Sequence, residues 1–183
     1  MNPNHWIIMP VVMPAIMAAI MAMAMRHDVV LQRVFSLAGT AALIAISTGL
    51  FISTLDGTVQ TYQLGDWVPP FGIVLVLDRL SAMMLLLTSL LAAGVVLYVT
   101  GSGWDTRGWQ FHALFAFQMM GVNGAFLTGD AFNLFVFFEI LLIASSGLMI
   151  HAGGGMRLRA GLQYVVMNLA GSTLFLFAMG TLY

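Results

Sequence analysis

Residues 126–150 read FLTGDAFNLFVFFEILLIASSGLMI. Asp130 opens an almost unbroken apolar run, and Glu139, the only glutamate of the chain, sits in its middle. Residues 131–150 are long enough to cross a hydrocarbon layer of about 30 Å at about 1.5 Å per residue. Glu139 lies nine residues beyond Asp130, about 13.5 Å into that layer and close to its centre. The stretch therefore reads as a membrane helix that holds a carboxylate where hydrocarbon is expected.

The remainder of the chain agrees. Of its 183 residues, 61% are hydrophobic and 7% charged, and mean hydropathy is +0.98. A soluble domain carries roughly a quarter charged residues. The sequence predicts an all-α integral membrane protein with one polytopic domain over 1–183. Six apolar runs approach the necessary length of about 20 residues: 6–25, 30–53, 79–99, 109–128, 131–150 and 160–183. Ala22-Met23-Ala24 mimics a signal-peptide cleavage site, but Arg26 follows the apolar stretch and no basic residue precedes it. The first span is therefore expected to be retained. Net charge is −1, which argues against nucleic acid. With no cysteine, thiolate-held iron–sulfur clusters and disulfides are excluded.

Arg26, Arg33, Arg107, Arg157 and Arg159 follow the first, third and fifth runs, whereas Asp56, Asp66 and Asp130 follow the second and fourth. The positive-inside rule then places the N-terminus outside and the arginine loops in the cytoplasm, with Arg79 as the exception. Trp6, Trp67, Trp104 and Trp109 all fall at expected span ends, where an aromatic belt belongs. The longest loop, 54–78, has β-prone runs around Gly65-Asp66 and Pro69-Pro70 and predicts a small external hairpin between helices 2 and 3. Asp78 and Asp130 are placed to cap the third and fifth helices.

A carboxylate at mid-bilayer costs at least about 2.5 kcal/mol on insertion scales, and ionisable groups placed there serve transport by default. The plain alternative is a protonated packing residue. Ser146, seven residues on, shares the Glu139 side of its helix. Ala160, Tyr164, Asn168 and Ser172 form an i, i+4 stripe on the sixth helix, and Gly121, Asn123 and Gly124 offer small and polar positions on the fourth. Such stripes pack helices together and also line hydrated paths. Asn133 stands beside Asp130 at the outer end of the fifth helix.

Two other patterns carry less. Met9, Met13, Met17, Met21 and Met25 recur every four residues; a thioether copper route is conceivable, and flexible apolar packing is the simpler reading. His112 and His151 both fall near the cytoplasmic face, as interfacial residues rather than haem ligands.

Three segments carry a resemblance: MGVNGAFLTGDAFNLFVFFEILLIAS at 120–145, YQLGDWVPPFGIVLVLDRLSAMMLLLTSLLA at 62–92 and YVVMNLAGSTLFLFAMGTLY at 164–183. Together they resemble the D subunit of the multisubunit Mrp-type monovalent cation/proton antiporters. The resemblance implies exchange of Na⁺ or another monovalent cation for H⁺. It also implies a bacterial inner-membrane location, no cofactor, and assembly with other membrane subunits. Family members pair a glutamate on the fifth helix with a lysine on the seventh, within inverted repeats that contain broken helices. Glu139 matches that glutamate by motif. The present chain has no lysine, ends after six helices and carries Ser146 where the family often has tyrosine. The resemblance thus implies the N-terminal portion of a longer subunit. Two alternatives stand beside it. One is a proton-translocating membrane subunit of a complex I-like NADH–quinone oxidoreductase or a hydrogenase complex. The other is a non-transporting scaffold in which Glu139 only packs.

Overall fold

A computed structural model describes residues 5–67 and 72–182. Six helices form: α1 (Met9–Met23), α2 (Val29–Ser53), α3 (Arg79–Ser102), α4 (Phe111–Leu127), α5 (Ala131–Ile150) and α6 (Gly155–Leu182). Between α2 and α3 the chain makes two short strands, β1 (Gln60–Gln63) and β2 (Val74–Leu77), paired antiparallel with Gln60 opposite Leu77. The expected hairpin is present, turning at Gly65 with φ +65°; Pro69-Pro70 lie outside the described residues.

Helices α2, α3, α5 and α6 are each long and apolar enough to cross a membrane. The expected first and fourth runs are longer than the helices they form, which have 15 and 17 residues. At the end of α4 the cause is visible: Thr128 leaves the helix to bridge Leu75 of β2, and Gly129 N–H donates to the Val74 carbonyl at 2.8 Å. The sixth helix departs the other way, starting at Gly155 rather than 160. An apolar window leaves Arg157 and Arg159 out, yet arginine is a good helix former; Gly153 and Gly154, at φ +69° and +100°, mark the break before it.

Three helices begin on an aspartate whose side chain accepts a backbone N–H three residues on: Asp28 from Leu31, Asp78 from Ser81 and Asp130 from Asn133. Each satisfies one of the otherwise orphaned amides of a helix start. Arg79 also finds an explanation. Its guanidinium donates to the Thr54 carbonyl at 3.1 Å and to the Leu55 carbonyl, placing a cation on the electronegative end of α2.

Helix α4 lies between α1 and α5; α2 pairs with α3, and α6 packs chiefly on α5. Contact between α4 and α5 is close because glycine faces it. A Cβ at Gly124 would stand 2.1 Å from the Phe137 ring, and one at Gly121 would stand 3.0 Å from the Leu141 backbone nitrogen. Small residues permit this approach in lipid, where association depends on packing rather than on a hydrophobic gain. The methionine stripe packs too: Met21 is buried, and Met17 lies over Gly39 of α2. Two apolar clusters complete the interior. Ile7, Leu50, Leu77, Leu85 and Leu127 gather at the hairpin end, and Val96, Phe111, Phe115 and Met119 at the other.

Candidate functional site

Asp130 fixes the start of α5, and the Asn133 side chain donates to Thr128 Oγ1 at 2.9 Å. Both residues therefore serve the turn between α4 and α5. Further along α5, Glu139 faces α6. It lines a cleft of about 80 Å³ with Ser146, Asn168, Leu142, Ile143 and Leu169. Glu139 Oε1 and Asn168 Nδ2 are both buried and have no hydrogen-bond partner among the described residues. An unsatisfied buried polar atom is uncommon and calls for a reason. The cleft is polar at these two points and has room for water.

The expected polar stripe on α6 does turn towards α5. Tyr164 and Ser145 share a hydrogen bond of 3.0 Å between their hydroxyls. Asn168 lines the Glu139 cleft, and Ser172 lines the adjoining cavity of about 240 Å³ beside Phe135, Phe138 and Asn168. The Ser146 hydroxyl donates back to the Ile143 carbonyl at 2.8 Å. Asn123 is elsewhere: its amide donates to the Pro10 carbonyl of α1 at 2.9 Å, so it ties α4 to α1 and does not line the cleft. A larger cavity of about 450 Å³, lined by Trp6, Ile46 and Leu50, carries no ionisable group among the described residues.

At the arginine-bearing end, His112 is buried within the protein. Its ring is 1% exposed, and Nε2 stands 3.1 Å from Asp105 Oδ2. Asp105 also accepts two hydrogen bonds from Arg33, at 2.6 and 2.7 Å. These bonds, against the cost of burial, hold the Asp105 carboxyl down to about 2, with the His112 bond adding to the effect. Asp105 sits in a short 3₁₀ turn, Trp104–Arg107, which carries it beneath α4. Sequence reasoning missed it, although one signal was present: an acid in a basic loop, seven residues before a histidine. Around this end, guanidiniums stack on indoles. Arg26 lies 4.1 Å from the Trp109 ring centre, and Arg107 and Arg157 lie 4.3 and 5.2 Å from that of Trp104. These pairings gather an arginine from the α1–α2 connection, one from the 3₁₀ turn and one from the first turn of α6 at one end of the bundle.

Helices of this length and apolar character define a helical membrane protein. A family model described as NADH:quinone oxidoreductase/Mrp antiporter, TM matches residues 128–183, the part holding α5 and α6. The chain is 45% identical, over 98% of its length, to the D subunit of a probable K(+)/H(+) antiporter from Rhizobium meliloti (strain 1021), covering 34% of that protein. It is 39% identical, again over 98% of its length, to the D subunit of the Na(+)/H(+) antiporter from Bacillus subtilis (strain 168), covering 36% of it. The chain thus spans about a third of the length of these curated relatives. Among solved structures, the Mrp complex from Dietzia sp. DQ12-45-1b matches with a TM-score of 0.84 at 31% identity, over 95% of this chain and 33% of that one. An archaeal respiratory complex, the membrane-bound sulfane sulfur reductase, matches with a TM-score of 0.86 at 26% identity, over 93% and 35%. Over nearly its whole length the chain is thus similar to D subunits of Mrp-type cation/proton antiporters.

Proposed function

We propose that this chain is part of a membrane subunit of a multisubunit monovalent cation/proton antiporter in a bacterial plasma membrane. All six helices cross the bilayer in this reading, with the N-terminus and hairpin outside and the arginine-bearing end in the cytoplasm. Glu139 is the proton-carrying carboxylate. Asn168, Ser146 and Ser172 line its route, Asp130 and Asn133 set the start of its helix, and Asn123 stands apart from the route as a brace to α1. Other membrane subunits complete the path. The relatives' names include both Na⁺ and K⁺, so the substrate is stated as a monovalent cation.

One observation carries this reading: the carboxyl of Glu139 opens on a cleft between α5 and α6 with Oε1 buried and unpartnered, opposite an equally unpartnered Asn168 amide. A group held for packing alone would be expected to satisfy both oxygens. The higher identities to antiporter subunits than to the respiratory complex favour exchange over redox coupling. The test is Glu139→Gln in the full-length subunit within the assembled complex, reconstituted in vesicles. The amide keeps the shape and cannot ionise. Loss of cation-dependent proton movement with intact assembly is expected; wild-type exchange would leave Glu139 as a packing residue.

A further inference from the structure

We propose that His112 and His151 form a proton-transfer site at the arginine-bearing end of α5, exchanging protons between that aqueous face and the Glu139 cleft. This inference rests on the proton-relay reading of Glu139.

Hydrogen bonding to Asp105 fixes the tautomer of the His112 ring. An ionised carboxylate only accepts hydrogen bonds, so His112 Nε2 is the donor to Asp105 Oδ2. In the uncharged ring, Nδ1 then carries the lone pair, and His112 Nδ1 is buried without a partner among the described residues. His151 follows the last residue of α5, and its Nε2 is likewise buried and unpartnered among the described residues. Burial also pushes the His151 imidazole below its ordinary value, with the Trp104 backbone and Asp105 acting against that shift. Phe111 makes a T-shaped contact with each ring, at 5.4 and 5.5 Å between ring centres. Each ring therefore has one buried nitrogen without a partner among the described residues, and on His112 that nitrogen is the basic one.

The charged groups facing the pair are Asp105 from the 3₁₀ turn and Arg33 from α2. The Asp105–Arg33 pair is mutually neutralising, so neither ring is locked in its cationic form by a free carboxylate. From His151 to Glu139 is twelve residues of α5, or about 18 Å. Polar groups occupy that interval on α5: Ser145, bonded to Tyr164, and Ser146. Gln118 of α4 also has a buried Oε1 without a partner among the described residues. A proton taken up on His112 Nδ1 or His151 Nε2 forms one N–H bond and leaves by breaking the same bond. The ring ends uncharged, and the net change is one proton moved inward or outward.

Two substitutions separate this role from a structural one. His112→Gln keeps an N–H for Asp105, and His151→Asn keeps a polar side chain at that position; neither amide takes up a proton. The double variant is placed in the full-length subunit of the assembled, reconstituted antiporter, and cation-driven proton flux is measured from pH 6 to 9 alongside Glu139→Gln. The expected result is assembly and cation KM as in the wild type, maximal rate lower by about tenfold or more, and a displaced pH profile. Wild-type rate and pH profile in the double variant would overturn the inference. Should the double variant fail to assemble, His151→Asn alone, on the less buried ring, is read by the same criteria. Glu139→Gln decides the relay reading separately, since full exchange there removes Glu139 whatever the histidine variants do.

Discussion

Asn168 of α6 and Glu139 of α5 line one cleft, and each has a buried polar atom with no hydrogen-bond partner among the described residues. The amide is thus placed to serve the carboxyl's polar surroundings rather than to brace a neighbouring backbone. Replacing Asn168 by leucine leaves the carboxyl facing an apolar wall, where its charged form is harder to sustain. Asn168→Leu is expected to assemble and to lower exchange several-fold in reconstituted vesicles. Unchanged exchange would remove Asn168 from the route.

The Arg33–Asp105–His112 linkage gives an acid dependence with a defined sign. Asp105 titrates at about 2 in the folded chain against an ordinary value of 3.8. Its folded value is depressed, so its stabilisation is complete above about 3.8 and fades as pH falls towards 2. Asp105→Asn is expected to lower the unfolding temperature at pH 7 by several degrees, because Arg33 loses its carboxylate. It should also flatten the loss of stability between pH 4 and 2. Thermal unfolding in detergent across that range measures both.

Gly121 and Gly94 make a matched pair. A Cβ at Gly121 meets the backbone of Leu141, at 3.0 Å from its nitrogen and 3.1 Å from its Cα, whereas a Cβ at Gly94 meets nothing within 4 Å. Gly121→Ala should destabilise by about 1–3 kcal/mol, since a backbone gives way less readily than a side chain. Gly94→Ala should be neutral or stabilise by up to about 1 kcal/mol through helix propensity. Chemical denaturation of the two variants provides the comparison; equal behaviour would mean that the α4–α5 approach is not limiting.

The hydroxyl pair of Ser145 and Tyr164 joins α5 to α6. Tyr164→Phe keeps the ring and removes the bond, with an expected cost of about 1 kcal/mol. Because α6 packs chiefly on α5, faster protease cleavage in the 151–155 connection is the expected readout. Cleavage at the wild-type rate would show that ring packing alone holds α6.

Helix positions were legible because apolar length and aspartate caps are local signals. Asp78 and Asp130 sit where their spacing to the apolar runs placed them, and the helical repeat of Tyr164, Asn168 and Ser172 marked the face of α6 turned to α5. Contacts that depend on distant segments were not legible. Thr128 leaves α4 because a strand more than 50 residues earlier accepts it. Asn123 serves Pro10 because α4 happens to lie against α1. Asp105 joins Arg33 across 72 residues, a pairing that periodicity within one helix cannot reveal.

The tie between β2 and the α4–α5 turn has a mechanical consequence. The Gly129–Val74 hydrogen bond and the Leu75–Thr128 bridge fasten the head of α5 to the hairpin that precedes α3. The glycine-faced contact fastens its flank to α4. Helix α5 is in effect a fixed post: tilting it would break strand pairing at one end and open a close-packed seam along its side. Helix α6 is moored differently. It rests on α5, with Arg157 of its first turn over Trp104. The Glu139 carboxyl is therefore carried by the helix that is held at both its head and its flank, and its position is set by α4 and the hairpin rather than by α6.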